Sequence, residues 1–263
     1  MKTLYANKMT ALFAFLGLLL ILFIAVPLLK TILATGADGL WQALQDGDIL
    51  RSILLTFYAS LVATGIAFVL GIPLAYLLSR HDFPGKQLIE GLINLPIVVP
   101  HSAAGIALLM VFGRQALVGR FFGMFGIHFV SAVPGIIIAM LFVSLSFLVN
   151  SARDGFDSVD THLEKVARTL GASPWQTFWR VSFPLAWRSI LTGLILMWAR
   201  GLSEFGAVII LAYHPMVTPV LIYERFESYG LTYARPVAAI VILISLLIFI
   251  AVRLVARPAR EDA

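Results

Sequence analysis

Six long apolar runs constrain this chain more than any other feature of its sequence. A helix rises about 1.5 Å per residue, so about 20 apolar residues cross a hydrocarbon core of ~30 Å. With 60% hydrophobic and 13% charged residues, the chain is predicted to be an all-α integral membrane protein. The predicted spans cover residues 9–29, 53–78, 88–112, 133–149, 189–212 and 237–255.

The first run is predicted to remain in the protein as a membrane span. Residues 9–29 follow a basic start at Lys2 and Lys8, as a cleaved signal peptide does. They are nevertheless longer than the apolar stretch of about 7–15 residues that such a signal carries. Residues 30–51 mix polar and apolar side chains, so we expect a loop there, with a short helix near Trp41.

The third run is interrupted by residues that do not suit a regular membrane helix. These are Asn94, Pro96, Pro100, His101 and Gly105. Irregular backbone at membrane depth is tolerated where it packs against protein or lines a water-filled cavity. We therefore predict a broken span, which is either a kinked packing helix or part of the wall of a polar pathway.

The segment between the fourth and fifth spans, residues 151–186, is too polar to lie in lipid. A capping box is expected between Thr161 and Glu164, with Asp160 as a rival cap, so a helix should start there. Gly171 then supplies the left-handed position at which a helix ends.

A second start signal follows this glycine at once. Ser173 is a capping residue, Pro174 suits the first helical position, and Gln176 completes a capping box. Pro184 is expected to kink this second helix or to hand it over to the next span. The segment is therefore predicted to be a rigid helix–glycine–helix element just outside the membrane, rather than a solvated tether.

This element resembles the EAA loop of importer-type ABC transporter permeases, whose pattern is Glu-Ala-Ala, three residues, Gly, and a later Leu-Pro. Gly171 and Pro184 match at the family spacing, within the typical sequence ARTLGASPW. Phe183 replaces the leucine, and Lys165 stands where the family has glutamate, with Glu164 one position earlier. The resemblance implies that the loop docks into a cleft on a separate ATPase subunit. The implied coupling residues are Glu164, Lys165, Ala167, Arg168, Thr169, Leu170, Gly171, Ala172, Ser173 and Pro174.

Two further stretches resemble the molybdate/tungstate permeases, with the sulfate permeases as close relatives. They are RHDFPGKQLIEGLINLPIVVPHSAAGIALL, beginning at Arg80, and ARGLSEFGAVIILAYHPMVTPVLIYERF, beginning at Ala199. The resemblance implies a type I importer permease that forms a homodimer and conducts an oxyanion, molybdate or tungstate rather than sulfate. It also implies two ABC ATPase subunits, which bind ATP and Mg, and an extracytoplasmic oxyanion-binding protein. The chain itself is then expected to hold no cofactor, to contact membrane lipid and to bind no nucleic acid.

The basic residues indicate how the spans are oriented. Six spans place both termini on one side, and with that side cytoplasmic, about twice as many Lys and Arg residues fall inside as outside. This count includes Lys2, Arg253, Arg257 and Arg260 near the two ends of the chain. We therefore expect both termini, and the polar segment between the fourth and fifth spans, on the cytoplasmic side of the cell membrane.

One charged pair falls inside a predicted span. Arg200 lies about 16 Å from the cytoplasmic end of the fifth span, where a guanidinium requires a partner or a cavity. Glu204 shares its helix face one turn later and is the expected partner. The pair either locks helices or subunits together or belongs to an anion pathway. The pore candidates are Asn94, His101, Ser102, Arg200, Ser203 and Glu204.

Sequence motifs for catalysis are missing from the chain. It has no glycine-rich phosphate loop with a lysine, so ATP is expected to be handled by another polypeptide. The 5 histidines lack metal-ligand spacing, and without cysteine there is no thiol nucleophile. The alternative from another class is a stand-alone integral-membrane enzyme with Asn94, His101 and Glu204 as its polar site. A secondary transporter is the second alternative, which the lack of an internal repeat disfavours.

Overall fold

The computed structural model describes the backbone of residues 2–255 and the side chains of residues 8–250. Within these residues the chain is almost entirely helical and holds no strand, which confirms the predicted all-α class. The tail ARPAREDA, whose arginines include Arg257 and Arg260, and the charges of Lys2 and Arg253 lie outside this description. The helices are α1 (Lys2–Gln45), α2 (Gly47–Arg80), α3 (Lys86–Val98), α4 (His101–Phe112), α5 (Leu117–Gly123), α6 (Val133–Asp157), α7 (Thr161–Thr169), α8 (Pro174–Thr177), α9 (Phe183–Leu202), α10 (Gly206–Leu211), α11 (Thr218–Tyr229) and α12 (Leu231–Val255).

The third predicted span is broken, as its sequence indicates. α3 and α4 meet at an angle of 118°. Only the two helices together are long and apolar enough to form one membrane span, which is therefore bent. Val99 and Pro100 between them are extended, and a proline cannot donate the N–H that a continuous helix requires. In the described chain, five other helical stretches are long and apolar enough to cross a membrane. They are Lys8–Gln45, Gly47–Arg80, Val133–Asp157, Pro174–Leu202 and Leu231–Ile250.

The first helix is longer than the sequence led us to expect. α1 continues to Gln45, so residues 30–45 are helical and the expected mixed loop is wrong. The hydroxyls of Thr31 and Thr35 donate to carbonyls one turn earlier, which satisfies these polar side chains within the helix. At Gly36 the backbone is not helical (φ 69°, ψ 168°), so two helical segments meet there at a kink, and the second segment contains Trp41, where a short helix was expected.

The fourth span also extends further than predicted, to Asp157. Hydropathy falls after residue 149 because polar side chains begin there, but these side chains have partners in the protein. Asn150 donates to Asn94 Oδ1 at 2.6 Å. Arg153 pairs with Glu90 at 3.0 Å. The helix therefore continues as a polar extension held against α3.

The fifth span is interrupted, although we expected one helix over residues 189–212. α9 ends at Leu202, and residues 203–205 separate it from α10. The Glu204 carboxylate accepts a hydrogen bond from the N–H of Ala207 (2.9 Å). This side-chain acceptor satisfies a free N–H group at the start of α10, where the helical ladder is broken.

Contacts divide the chain into two units, of which residues 54–220 form the larger. α6 and α9 pack against each other along its centre. Glycines allow this approach: a Cβ at Gly193 would lie 2.7 Å from Ser151 Cβ, and one at Gly155 would lie 2.6 Å from Ser189 Cβ. Larger residues at either glycine would therefore force the two helices apart.

The second unit combines the two ends of the described chain, where α1 packs against α12. Asp46 Oδ1 accepts hydrogen bonds from the N–H groups of Asp48 (2.9 Å) and Ile49 (3.3 Å) at the start of α2. Its Oδ2 accepts from Arg225 Nη2 at 2.7 Å. Burial raises the pKa of Asp46, but the Arg225 guanidinium and the two N–H groups outweigh it and hold this pKa below its ordinary value.

Candidate functional site

The segment between α6 and α9 forms the predicted helix–glycine–helix element, although its first cap differs. The Asp160 carboxylate accepts a hydrogen bond from the N–H of His162 (2.8 Å) and caps α7. The capping box expected between Thr161 and Glu164 is therefore wrong, and the rival cap is the one that forms. Glu164 is engaged with Arg80 instead.

Gly171 ends α7 with a left-handed φ of 90°, which confirms the prediction. The N–H of Gly171 donates to the carbonyl of Arg168 (3.0 Å), and the N–H of Ala172 donates to that of Ala167 (3.1 Å). This pair of bonds defines a Schellman motif. For a residue with a Cβ, this backbone conformation is unfavourable by about 1–2 kcal/mol, so the sharp turn depends on glycine.

The capping box predicted for the second helix is present. Ser173 Oγ accepts from the N–H of Gln176 (3.2 Å), whose Oε1 accepts from the N–H of Ser173 (2.9 Å). Pro174 occupies the first turn of α8. The helix then widens into a π-helical turn over residues 178–182 and continues as α9, with Pro184 in the first turn. Pro184 therefore lies where this helix continues into the membrane span.

α7 presents an apolar stripe on its outer side. Leu163, Val166 and Leu170 lie at helical spacing, and the Leu170 side chain is 83% exposed. Lys165 and Arg168 beside them are exposed as well. α7 is too polar to be covered by lipid, and an exposed apolar surface rimmed by charge is typical of a protein–protein contact.

Glu164 lies on the inner side of α7 and joins three elements. Its Oε1 accepts hydrogen bonds from Nε (2.9 Å) and Nη2 (2.8 Å) of Arg80 at the end of α2. The Ser182 hydroxyl in the π-helical turn donates to the same oxygen at 2.8 Å. The Arg80 and Glu164 side chains are only 9% and 12% exposed. The charge is therefore used inside this chain and is not presented to the outside.

The same polar network continues from α2 to the broken span. Ser79 Oγ accepts from Arg80 Nη1 (2.9 Å) and donates to Asp157 on α6 (2.5 Å). Arg153, one turn earlier on α6, lies 3.6 Å from Asp157 and 3.0 Å from Glu90 on α3. A continuous chain of polar contacts thus connects α7 with α3.

The second candidate site is an ion cluster on α4, α9 and the break before α10. Arg200 Nη2 lies 3.0 Å from Glu204 Oε2, which confirms the predicted pair. The same nitrogen is 2.8 Å from the ring nitrogens of His101, and His101 Nδ1 is 2.9 Å from Glu204 Oε2. His101 therefore lies within hydrogen-bonding distance of both Arg200 and Glu204, and the donor and acceptor roles of its ring nitrogens depend on the tautomer.

Burial is unequal within this ion cluster. The Glu204 side chain is 0% exposed, whereas those of Arg200 and His101 are 22% and 34% exposed. Arg200 Nη1 also donates to the hydroxyl of Ser203, which is exposed (3.3 Å). The buried Glu204 carboxylate therefore contacts Arg200 and His101, whose outer edges remain exposed. This cluster lies where two spans are broken.

The remaining pore candidates lie in different places. Ser102 is exposed in the first turn of α4, next to the ion cluster. Asn94 lies on α3, on the other side of the break, where it pairs with Asn150. Sequence reasoning missed Asn150 and Arg80 as members of these networks. Nothing in the sequence links Arg80 to Glu164, which lies 84 positions away.

The chain matches the model of a family described as binding-protein-dependent transport system inner membrane component, over residues 67–261. It is 44% identical to a molybdate/tungstate transport system permease protein of Thermococcus kodakarensis over 244 residues, 92% of this chain and 94% of the relative. It is 34% identical to a sulfate transport system permease protein of Synechocystis sp. over 253 residues, 95% of this chain and 88% of the relative.

The fold resembles that of solved importer structures. A bacterial ABC transporter involved in the import of the acidic polysaccharide alginate matches with a TM-score of 0.74 and 19% identity, covering 98% of both chains. The bacterial alginate transporter in complex with its pentasaccharide-bound periplasmic protein matches with a TM-score of 0.73 and 20% identity, over 96% of this chain and 97% of the other. At these identities the similarity shows the fold alone, which is that of an ABC importer permease.

Proposed function

The chain belongs to the family of binding-protein-dependent transport system inner membrane components, and on this premise we propose that it conducts an oxyanion in an ATP-driven importer. It is a multi-pass membrane protein and a transport permease rather than an enzyme. The alternatives of a stand-alone membrane enzyme and a secondary transporter are therefore dropped.

The helix–glycine–helix element carries the proposal about mechanism. It is fixed by a Schellman motif, a capping box and the Arg80–Glu164 pair, yet its apolar stripe is open. A rigid element with an unfilled apolar face suits docking into a cleft on another subunit. We assign the stripe to an ATPase, with Lys165 and Arg168 at its rim. Glu164 then fastens the element to its own subunit instead of contacting the ATPase.

The proposed assembly follows from the family. Two copies of the chain form a homodimer, and two ABC ATPase subunits on the cytoplasmic side bind ATP and Mg. An extracytoplasmic oxyanion-binding protein delivers the anion, which accords with the family's description and with the periplasmic protein in the alginate complex. Both termini are cytoplasmic in this arrangement, in agreement with the excess of basic residues on that side.

The proposed cargo is molybdate or tungstate. The relative named for these anions is 44% identical to this chain over the aligned residues, against 34% for the relative named for sulfate. We place the anion pathway at the ion cluster, where Arg200, His101, Ser203 and Ser102 keep open edges. Glu204 cancels the charge of Arg200, so the cluster attracts an anion only weakly. A conduit that must release its cargo benefits from this balance.

The proposal is tested by reconstitution with the ATPase and the binding protein in proteoliposomes. We expect uptake of radiolabelled molybdate that requires ATP, and we expect unlabelled tungstate to compete more strongly than sulfate. Preferential uptake of sulfate would show that the cargo is sulfate rather than molybdate or tungstate. Uptake without ATP, or no ATPase retained on co-purification, would contradict the assembly.

Gly171→Val tests the docking geometry. Valine must adopt a positive φ here, at a cost of about 1–2 kcal/mol, so the second helix is expected to turn away from its position. We expect normal membrane levels but about five- to thirty-fold weaker ATPase association, measured by co-purification at varied ATPase concentration. Gly65→Val is the matched control, because Gly65 lies on α2 outside the coupling element, with an ordinary φ and open space for a Cβ. If the Gly171 variant associates as well as this control, the turn does not matter.

A further inference from the structure

Aromatic side chains form a continuous row at the start of the fifth span. Trp175, Trp179, Phe183 and Trp187 have successive ring centroids 5.7, 5.0 and 5.5 Å apart, and we call this row the tryptophan ladder. Its three indoles are 69%, 44% and 40% exposed. Exposed indoles are typical of a membrane–water interface, where the ring meets apolar chains and the N–H meets polar groups.

The length of the span places the tryptophan ladder at such an interface. The helical stretch Pro174–Leu202 has 29 residues. It is therefore about 43 Å long, which exceeds the hydrocarbon core by ~13 Å. The stretch is thus long enough for one end to reach into the headgroup region, and the exposed indoles mark the N-terminal end as that one.

The surface beside the tryptophan ladder is basic. Arg180 and Arg188 each follow a tryptophan of the ladder directly, and both are exposed. The sequence holds no acidic residue between Glu164 and Glu204. Within the side chains of residues 8–250, neither arginine takes part in an ion pair. Two exposed positive charges thus lie beside the tryptophan ladder.

An apolar groove of about 480 Å³ opens between the tryptophan ladder and α2. Residues 68–76 of α2 form one wall, and Trp175, Trp179 and Phe183 belong to the other. The volume falls in the usual range of ligand sites, about 300–1,000 Å³. Val69 on the α2 wall is 66% exposed, so the groove can be reached from the lipid side.

We propose that this groove binds an acyl chain of an anionic phospholipid, whose headgroup lies against Arg180 and Arg188. The apolar walls suit hydrocarbon, and lipid is what surrounds a membrane span at this level. The exposed guanidinium groups select an anionic headgroup over a zwitterionic one. Trp175 comes two residues after the cap Ser173, so a bound lipid also touches the coupling element, a consequence that rests on the proposed function.

The test uses the purified permease without its ATPase, so its outcome does not depend on the proposed function. Native mass spectrometry measures retention of phosphatidylglycerol and phosphatidylcholine with identical acyl chains, and we expect phosphatidylglycerol to be preferred. The double change Arg180→Gln with Arg188→Gln is expected to lower its retention about ten-fold or more. The matched control is Arg114→Gln with Arg120→Gln, two exposed arginines elsewhere, and it should retain the lipid.

A second variant probes the groove itself. Val69→Trp adds an indole from an exposed position and should reduce retention of both lipids, with an unchanged size-exclusion profile. Equal retention of the two lipids by the unchanged protein would overturn the proposal, as would an Arg180 and Arg188 double variant that behaves like its control. Loss of ATPase capture by that variant with unaltered lipid retention would assign the surface to the ATPase instead.

Discussion

Arg200→Met and Glu204→Leu, made singly, are each expected to reduce the yield of folded permease and to abolish measurable oxyanion uptake. Either change strands the opposite charge in a partly desolvated cluster, at a cost of about 3–5 kcal/mol. Glu204→Leu should reduce the yield more than Arg200→Met, because the Glu204 carboxylate is fully buried and also accepts a hydrogen bond from the N–H of Ala207. The measurements are size-exclusion yield and radiolabelled molybdate uptake in proteoliposomes.

The double variant separates packing from transport. Replacing both members of a buried pair with apolar residues can be nearly neutral, so Arg200→Met with Glu204→Leu is expected to recover the yield. Uptake should stay low, because the open guanidinium edge is gone. Arg200→Lys is a graded control that keeps the charge without the planar fork, and it should transport at an intermediate rate. Full uptake by the double variant would leave the pair as a packing contact.

Local signals in the sequence predicted the local structure well. Gly171 and the Ser173–Gln176 capping box take the conformations expected of them, since both depend on neighbouring residues only. Pro100 likewise marks the break in the third span, because a missing N–H acts at its own position. The Arg200–Glu204 pair forms as predicted, although α9 ends at Leu202 and Glu204 lies in the break that follows rather than on the expected helix face.

Contacts between distant segments could not be predicted in this way. Glu204 also contacts His101, which lies on α4. The sequence does not predict this contact, because it forms only where α4 packs beside the fifth span. The mixed composition of residues 30–45 predicts a loop, but these residues are helical on both sides of a kink at Gly36, where the backbone is not helical. The break at 203–205 had a signal, a glutamate within an apolar run followed by a glycine, but it was interpreted only as a charge pair.

The two halves of the broken span are anchored to different partners. α3 is held to α6 by the Glu90–Arg153 and Asn94–Asn150 pairs, and through α6 to the helix–glycine–helix element. α4 instead carries His101 into the ion cluster. A displacement of the element is therefore expected to reach α3 through α6, and the span is expected to bend at the extended residues between α3 and α4.

Glu164→Gln is expected to lower ATP-dependent uptake more than ten-fold without removing the permease from the membrane. The Arg80–Glu164 pair is largely buried, and loss of one charge from such a pair costs about 3–5 kcal/mol, enough to release α7 from α2. Exchange of Glu164 with Lys165 should be more damaging still. It restores the glutamate position of the family, but it places a lysine against the Arg80 guanidinium. Uptake and ATP hydrolysis in proteoliposomes measure both effects.

Asp82→Asn is the matched control for this experiment. It removes a charge from the Lys86–Asp82 pair just after the end of α2, but the Asp82 side chain is 98% exposed, so water screens the pair and uptake should stay close to that of the unchanged permease. If the exchange of Glu164 and Lys165 leaves uptake at the level of this control, the Arg80 contact does not hold the element in place. Coupling would then depend on the helix–glycine–helix shape alone, and Gly171→Val would remain the decisive variant.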